Sequence, residues 1–253
     1  MPSSILLKNK TAYLFKKFYS LGVIAAFSDR KRDLGFSAGR DLKRNRRLFL
    51  DGLGIDYRDL IAGQQVHGAK IILVNKSHKG RGALSGDSLL ENTDGFITEE
   101  KNLPLAAFTA DCLSVFLLDA RKGAIGLVHA GWRGTHQKIA ACAVRLMQQR
   151  FKSRPEDLLV GFGPAIRKCC YEVEENFTQL FKSGIIKKKN KIYLDLIANN
   201  KGQLLKSGVR RKSILDSKIC TACQNKEFFS FRREKDRAGR MMSVIMLKGK
   251  DGN

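Results

Sequence analysis

Three residues of this 253-residue chain combine side-chain types and settings that suit metal binding. His67 lies in QQVHGAKI and His129 lies in GLVHAGWRGT, and each is close to glycine. Cys112 lies in TADCLSV, after a polar break between two apolar segments. A thiolate and two imidazoles form a three-ligand set for zinc that leaves the fourth position for water or substrate. Such an open site is typical of a catalytic metal.

The same residues permit other interpretations. Each of them also fits a buried core residue whose polar atoms are hydrogen-bonded within the protein. Cys112 also suits a metal-free nucleophile, with His67 or His129 as its base. Two histidines and one cysteine are the in-plane ligands of blue-copper sites as well, although no methionine is placed as the axial ligand. Spacing alone does not choose among these readings.

The other cysteines indicate a reducing compartment. Cys169 and Cys170 are adjacent and therefore poor disulfide partners for each other. Cys220 and Cys223 have a metal-compatible spacing, but a single CxxC pair is weak evidence, so we interpret them as reduced thiols near a strand end. The segment FYSLGVIAAF lacks a small-residue cleavage site and reads as a buried strand rather than a signal peptide. We expect a cytoplasmic protein with six reduced cysteines.

The elements that position the three residues are clearest at 103–134. LAAFT and LSVFLLD are continuous apolar runs, typical of strands buried on both faces, and AIGLVHA follows a turn. HQKIAACAVRLMQQRFK has apolar residues at helical spacing. LLVGFGPAI predicts a further buried strand.

The C-terminal half predicts shorter elements. VEENFTQLFKSG reads as an amphipathic helix ended by Gly184, and GIIKKKNKIYL reads as a hairpin. FFSFRR and MMSVIML predict two strands separated by a turn at Gly239. Because strands and helices alternate irregularly, we expect an α/β fold with a mixed sheet, in one domain that spans residues 1–253.

Composition bounds the class of protein. Lys and Arg number 47 against 24 Asp and Glu, a net charge of +23, so anionic partners such as phosphates or anionic polymers are favoured. Hydrophobic residues make up 43%, which excludes wholesale disorder. No apolar run approaches the ~20 residues that span a bilayer, so we expect no membrane segment. No helix-turn-helix, zinc-finger or RNP pattern is present, so nucleic acid is not the favoured partner.

Six motifs lie in order between about Gly22 and Leu247: QQVHG, DGFIT, TADCLSVFLLD, VHAGWRGT, GFGPAIRKCCYEV and CTAC…FFSFRRE…GR. Together they resemble the YfiH-like family, which is also called the polyphenol oxidase, laccase-domain or multifunctional purine nucleoside phosphorylase family. The resemblance implies a layered α/β sandwich related to a group of cysteine hydrolases.

The resemblance also implies a metal and a reaction. It places Zn²⁺ on His67, Cys112 and His129, which would also be catalytic. Members of the family resemble phosphorylases that split adenosine, inosine and methylthioadenosine with phosphate, releasing the base and a (methylthio)ribose-1-phosphate, and they also deaminate adenosine. Older descriptions call them copper-dependent laccases, and bacterial relatives are linked to editing of peptidoglycan precursors.

Further candidates surround the predicted metal. Asp111 would orient a ligand or act as acid or base, and Gln65 would hydrogen-bond the base or ribose. Trp132 would stack on a purine. The segment FSDRKRDLGFSAG departs from the glycine-rich TRxGGxS pattern of the family, although an arginine is kept. Phosphorolysis needs cationic groups that hold the attacking anion, and the candidates are Arg30, Arg133, Arg232 and Arg240.

Two readings from other classes stay open beside the phosphorylase. One is a hydrolase that acts on an amide, such as a cell-wall precursor, with Cys112 as nucleophile. The other is a non-enzymatic, basic nucleic-acid-binding protein. The sequence leaves the oligomeric state open.

Overall fold

Apolar residues on both faces of two stacked β-sheets generate a layered architecture. The computed structural model describes residues 5–249, and no helix in that range is long and apolar enough to cross a membrane. The helices are α1 (Lys16–Tyr19), α2 (Leu42–Asp51), α3 (Trp132–His136), α4 (Ile139–Phe151), α5 (Phe177–Leu180), α6 (Leu196–Lys206) and α7 (Phe231–Glu234). The strands are β1 (Leu6–Lys8), β2 (Ala12–Phe15), β3 (Val23–Ser28), β4 (Ile71–Leu73), β5 (Gly95–Thr98), β6 (Leu105–Thr109), β7 (Leu113–Asp119), β8 (Ala124–Ala130), β9 (Leu159–Phe162), β10 (Glu172–Val173), β11 (Ile185–Lys188), β12 (Lys191–Leu194), β13 (Ile214–Asp216) and β14 (Met241–Leu247).

The strands form three sheets. The first has five antiparallel strands in the order β1-β2-β3-β14-β6. The second has six strands in the order β13-β9-β7-β8-β5-β4 and is mixed, because its two outermost pairs are parallel. The third is small and antiparallel, in the order β10-β12-β11.

Alternation along each strand divides the core between neighbouring layers. In β7, Val115 and Leu117 pack with α4, whereas Phe116 and Leu118 pack between the two large sheets. In β14, Val244 packs towards α2 and Ile245 packs between the sheets. The order of layers is therefore α2, five-stranded sheet, six-stranded sheet, then α4 with α6. This confirms the layered α/β sandwich with a mixed sheet.

Most of the predicted elements are confirmed. LAAFT, LSVFLLD and AIGLVHA are β6, β7 and β8, and the predicted long helix is α4. GIIKKKNKIYL is the hairpin of β11 and β12, with Lys189 and Asn190 at positive φ in its turn. The strand predicted in FYSLGVIAAF begins only at Val23, because α1 and a turn at Gly22 (φ 75°) precede it.

The prediction of a strand in FFSFRR is wrong, because this segment ends in the short helix α7. Two of its backbone amides donate to side chains rather than to a neighbouring strand. The amide of Arg232 donates to Asp111 at 2.7 Å, and the amide of Ser230 donates to Glu234 at 3.2 Å. Phe228 is buried in the core between the sheets.

The helix predicted in VEENFTQLFKSG is shorter than expected. Only Phe177–Leu180 is helical, and Gly184 lies beyond that helix, next to β11. Glu172 and Val173 instead form β10, opposite Tyr193 and Ile192 of β12. Pairing with a distant strand overrides local helical spacing here.

A buried arginine joins α2 to the loops that precede and follow it. The side chain of Arg46 lies between the rings of Phe36 and Phe108, 4.4 and 4.7 Å from their centroids, and the residue has no exposed surface. Its guanidinium donates to the carbonyl oxygens of Leu34 (3.1 Å) and Gly82 (2.8 Å). Burial lowers the pKa of Arg46 to about 10, so it is charged at neutral pH.

We expect Arg46→Ala to lower the free energy of unfolding by roughly 2–4 kcal/mol, because it leaves buried carbonyl groups without donors and opens a cavity between two rings. Arg47→Ala is the matched control. Arg47 is an exposed neighbour whose one ion pair, with Asp51, has i,i+4 spacing and is worth about 0.5 kcal/mol or less. Urea titration of both variants tests this, and equal losses of stability would contradict it.

Candidate metal centre

The ends of three strands meet at one edge of the six-stranded sheet. Strand β8 pairs with β5 on one side and with β7 on the other, in the registers Gly95 opposite Val128 and Ser114 opposite His129. Because both pairings are antiparallel, the end of β8 lies beside the starts of β5 and β7. This places His129, Cys112 and Asp94 at the same edge.

His67 completes the group from the loop before β4. One ligand atom each from His67, Cys112 and His129 lies within 4.8 Å of the others, and the two imidazole centroids are 4.8 Å apart. Gly131 allows His67 and Cys112 to lie this close to the backbone, because a Cβ at position 131 would lie 2.9 Å from Cδ2 of His67 and 3.0 Å from Sγ of Cys112. The structure thus brings the three residues together, and two imidazoles with a thiolate are a donor set that fits a zinc or copper ion.

Asp94 holds two of these residues in place, and the sequence analysis did not identify it. Its carboxylate is fully buried and contacts Nδ1 of His129 at 2.8 Å. It also accepts hydrogen bonds from the backbone amides of Val66 (3.2 Å), His67 (3.0 Å) and Gly68 (2.8 Å). Contact at Nδ1 leaves Nε2 of His129 for a ligand role, the usual arrangement behind a metal-bound histidine. The only signal for Asp94 in the sequence is the DGFIT motif.

The charges of the three side chains are coupled. Burial alone raises the pKa of the Cys112 thiol, but the imidazoles of His129 and His67 outweigh it and hold the pKa below its ordinary value. Burial lowers the pKa of His129, yet Cys112 and Asp94 outweigh that effect and raise it. Without a metal ion the site therefore favours a thiolate beside an imidazolium.

The three residues open onto a cavity of about 790 Å³. This volume lies within the range of roughly 300–1,000 Å³ that is usual for small-molecule sites. Aromatic and polar groups share its wall, as the side chains of Phe36, Phe108, Trp132, Tyr171 and Gln65 illustrate.

Three arginines at this cavity have no carboxylate partner in the part of the chain that the structure describes. Arg133, Arg232 and Arg240 line it, and none of them forms an ion pair with a carboxylate among residues 5–249. Arg133 lies over the Trp132 ring, 4.6 Å from its centroid, and Arg232 lies over Tyr171 at 5.5 Å. Unpaired guanidinium groups that converge on one cavity are suited to binding an anion.

The structure places Arg30 outside this cavity. Its guanidinium pairs with Glu234, donates to the carbonyl oxygen of Asn225 and lies 5.0 Å from the centroid of the Phe229 ring. A paired guanidinium away from the cavity gives no support to the phosphate role that the sequence analysis assigned to Arg30.

Asp111 and Gln65 line the cavity, but much of their hydrogen-bonding capacity is already used. The Asp111 carboxylate accepts from the Thr221 hydroxyl at 2.6 Å and from the Arg232 amide at 2.7 Å. The Gln65 amide donates to the carbonyl oxygen of Phe108 at 2.9 Å and accepts from its N–H at 2.7 Å. These contacts favour a positioning role for both residues.

The sequence interpretation of the CxxC pair needs correction. Cys220 and Cys223 do not stand alone, because Cys169 and Cys170 pack against them. The correct partners are about fifty residues away along the chain, where spacing within a short motif gives no signal.

Fold and site together define a layered α/β protein with an open His–Cys–His centre beside an arginine-lined cavity. Residues 31–248 match the family model described as multi-copper polyphenol oxidoreductase laccase. The chain belongs to this family, the YfiH-like family that its motifs indicated.

Named relatives agree with that membership. Purine nucleoside phosphorylase YlmD of Geobacillus stearothermophilus is 36% identical over 214 residues, which are 81% of this chain and 78% of the relative. Adenosine deaminase RL5, from an unknown prokaryotic organism, is 28% identical over 205 residues, 78% of each chain. The crystal structure of a hypothetical protein YfiH from Bacillus licheniformis superimposes with a TM-score of 0.91 at 29% identity, over 97% of this chain and all of that one.

If His67, Cys112 and His129 bind a metal ion, we expect Asp94→Asn to weaken its binding, tested with zinc, by about 10–100-fold, because a neutral amide no longer fixes His129 and the neighbouring loop. Competition with a chromophoric chelator measures this. Asp87→Asn, at an exposed loop position, is the control. An unchanged zinc affinity in a folded Asp94→Asn protein would contradict the role given to Asp94.

Proposed function

We propose that this protein is a zinc-dependent purine nucleoside phosphorylase that also deaminates adenosine. One observation carries the proposal: an open His67–Cys112–His129 donor set faces a cavity whose arginines have no carboxylate partner among residues 5–249. Relatives named as a purine nucleoside phosphorylase and as an adenosine deaminase support it. We propose adenosine, inosine and methylthioadenosine as the nucleosides.

The donor set supports zinc. Three ligands, two nitrogens and one sulfur, match catalytic zinc sites that keep one position open. When bound, zinc would act as a Lewis acid beside the substrate and lower the pKa of a water molecule. Copper is the alternative that the name of the family model raises.

The arginines would bind inorganic phosphate. In phosphorolysis a phosphate oxygen attacks the anomeric carbon of the ribose, and the bond from that carbon to the purine nitrogen breaks. Arg133, Arg232 and Arg240 would hold the phosphate in line with this carbon and offset its charge. Trp132 and the aromatic wall offer flat faces for the purine.

Asp111 and Gln65 would act by positioning. Asp111 holds the amide of Arg232, so it fixes one arginine of the cavity relative to Cys112, its neighbour in sequence. Gln65 fixes the end of β6 through Phe108 and has one amide N–H left for a base or ribose oxygen.

A specific contact favours a second candidate, an amide hydrolase centred on Cys112. A thiolate beside His129, whose other nitrogen contacts Asp94 at 2.8 Å, is the arrangement of a Cys–His–Asp triad. In this reaction Cys112 would attack the amide carbon, and the amine would leave with a proton from His129. Water would then cleave the resulting thioester, which releases the carboxylic acid and restores Cys112. This reaction needs neither phosphate nor a metal ion.

Product chromatography with inosine and adenosine, with and without phosphate, separates these activities. We expect base and ribose-1-phosphate only when phosphate is present. We expect His67→Ala and Cys112→Ala each to abolish phosphorolysis and deamination together, because both reactions would depend on one metal held by both residues.

Several outcomes would overturn the phosphorylase proposal. Full phosphorolysis in Cys112→Ala would separate the donor set from the reaction. Amide cleavage that survives chelation and ignores phosphate would support the hydrolase, and phenol oxidation that follows copper content would support the oxidase. Salt-sensitive retention on DNA or RNA, without turnover, would support the nucleic-acid-binding alternative.

Arg133→Ala tests the anion site. We expect the KM for phosphate to rise very roughly ten- to a hundredfold, which corresponds to the loss of an arginine–phosphate contact of ~1.5–3 kcal/mol. Deamination should change much less, because water rather than phosphate is then the nucleophile. Arg150→Ala, on the exposed face of α4, is the control. Equal losses of both activities in Arg133→Ala would transfer the phosphate role to Arg232 or Arg240.

A further inference from the structure

A second group of potential metal ligands lies beside the cavity and takes no part in the proposed reaction. The sulfurs of Cys169 and Cys220 are 3.5 Å apart, those of Cys169 and Cys223 are 3.6 Å apart, and those of Cys170 and Cys223 are 3.3 Å apart. All four sulfurs lie within 4.8 Å of one another, and all four cysteines are free thiols.

Backbone pairing brings the two halves of this group together. Ala165 forms a parallel bridge with Cys220, in which the amide of Ala165 donates to Ile219 at 3.3 Å and the amide of Thr221 donates to Ala165 at 3.2 Å. Each pair of cysteines also lies in a tight turn. The amide of Cys170 donates to Arg167, and the amide of Gln224 donates to Cys220.

The sulfur–sulfur distances distinguish among the possible states of four thiols. A disulfide needs about 2.05 Å, well below the three sulfur–sulfur distances given above. A polynuclear iron–sulfur cluster distributes its thiolates over several iron atoms and spreads them further apart. A single zinc ion with Zn–S bonds of about 2.3 Å sets the edges of its sulfur tetrahedron at about 3.8 Å. The three pairs with the distances given above reach that geometry by moving apart by a few tenths of an ångström, and the remaining pairs already lie within 4.8 Å.

We propose that Cys169, Cys170, Cys220 and Cys223 bind one zinc ion as a closed tetrathiolate site. Four thiols lose their protons when they bind Zn²⁺, so the complex carries two negative charges, and no electrons are transferred. Basic residues precede and follow the cysteines in the sequence: Arg167, Lys168, Lys218 and Lys226.

The surroundings indicate a structural role. The hydrophobic cluster beside the small sheet β10-β12-β11 has only six buried members, and Cys220 is one of them. Such a small core gains from a metal ion that joins two loops, because binding energy then becomes folding energy. Both loops reach the cavity: Tyr171 follows Cys170 and lines it, and Thr221, between Cys220 and Cys223, donates to Asp111.

Metal analysis in a His67→Ala background isolates this site, because that change removes a ligand of the other one. We expect about one zinc ion per chain in His67→Ala and none in His67→Ala/Cys223→Ser. We also expect Cys223→Ser alone to lower the Tm by roughly 5–15 °C. The matched control is Cys142→Ser on α4, outside both groups of ligands, which should leave the zinc content and the Tm unchanged.

A measurement on the wild-type protein avoids the risk that a variant does not fold. Cys169 and Cys223 are exposed, so iodoacetamide at alkaline pH reaches free thiols at these positions. We expect both to be protected in the native protein and to react once a strong chelator has removed the zinc. Peptide mapping identifies the labelled positions.

Three results would overturn the proposal: no metal in His67→Ala, iron in place of zinc, or disulfides among these four cysteines in protein purified without oxidant. Rapid labelling of Cys169 and Cys223 in metal-replete protein would also overturn it. None of these measurements uses turnover, so failure of the proposed phosphorylase activity and failure of this zinc site are distinguishable.

Discussion

The buried carboxylate of Asp94 is the group on which the geometry of the candidate site depends. It contacts His129 and accepts three consecutive backbone amides of residues 66–68. These amides matter because His67 has a φ of 62°, a left-handed conformation that is uncommon for a residue other than glycine. Four contacts to one charge, shielded from water, supply the restraint that this loop needs. The two carboxylate oxygens of Asp94 thereby connect His129, at the end of a strand, to the strained loop that carries His67.

Charge is distributed differently on the two sides of the cavity. At the donor set, every charged group has an opposite neighbour, since Asp94 faces His129 and His129 faces Cys112. Across the cavity, the arginines have no carboxylate partner within the described residues. Arg232, for example, lies over the Tyr171 ring and donates to the backbone carbonyl oxygen of Glu172. An anion that enters therefore meets positive charge that is not already neutralised. The net charge of +23 adds long-range attraction to this local field.

The pattern of apolar residues predicted the strands and helices correctly wherever contacts with distant parts of the chain favour the same element. The apolar runs of β6, β7 and β8 are buried on both faces, so hydrophobicity alone identifies them. It failed for FFSFRR, because the side chains of Asp111 and Glu234 take the backbone donors that a strand would use. Asp94 was missed for a related reason: its role depends on the register between β5 and β8, which no spacing within a motif encodes. That His67, Cys112 and His129 bind a metal stays a prediction.

The His–Cys–His group and the four-cysteine group differ in the number of ligands that they offer a metal ion. Three donors from a sheet edge and a strained loop would leave a bound ion one coordination position that faces a cavity, whereas four thiols from two paired turns would fill all four positions of a tetrahedral ion. The groups are linked through Asp111, which precedes Cys112 and is held by Thr221 between two of the thiols. Asp111 has a φ of 89°, so its backbone depends on such outside contacts as well. A zinc ion at the four cysteines would therefore restrain, through this one hydrogen bond, the residue beside Cys112.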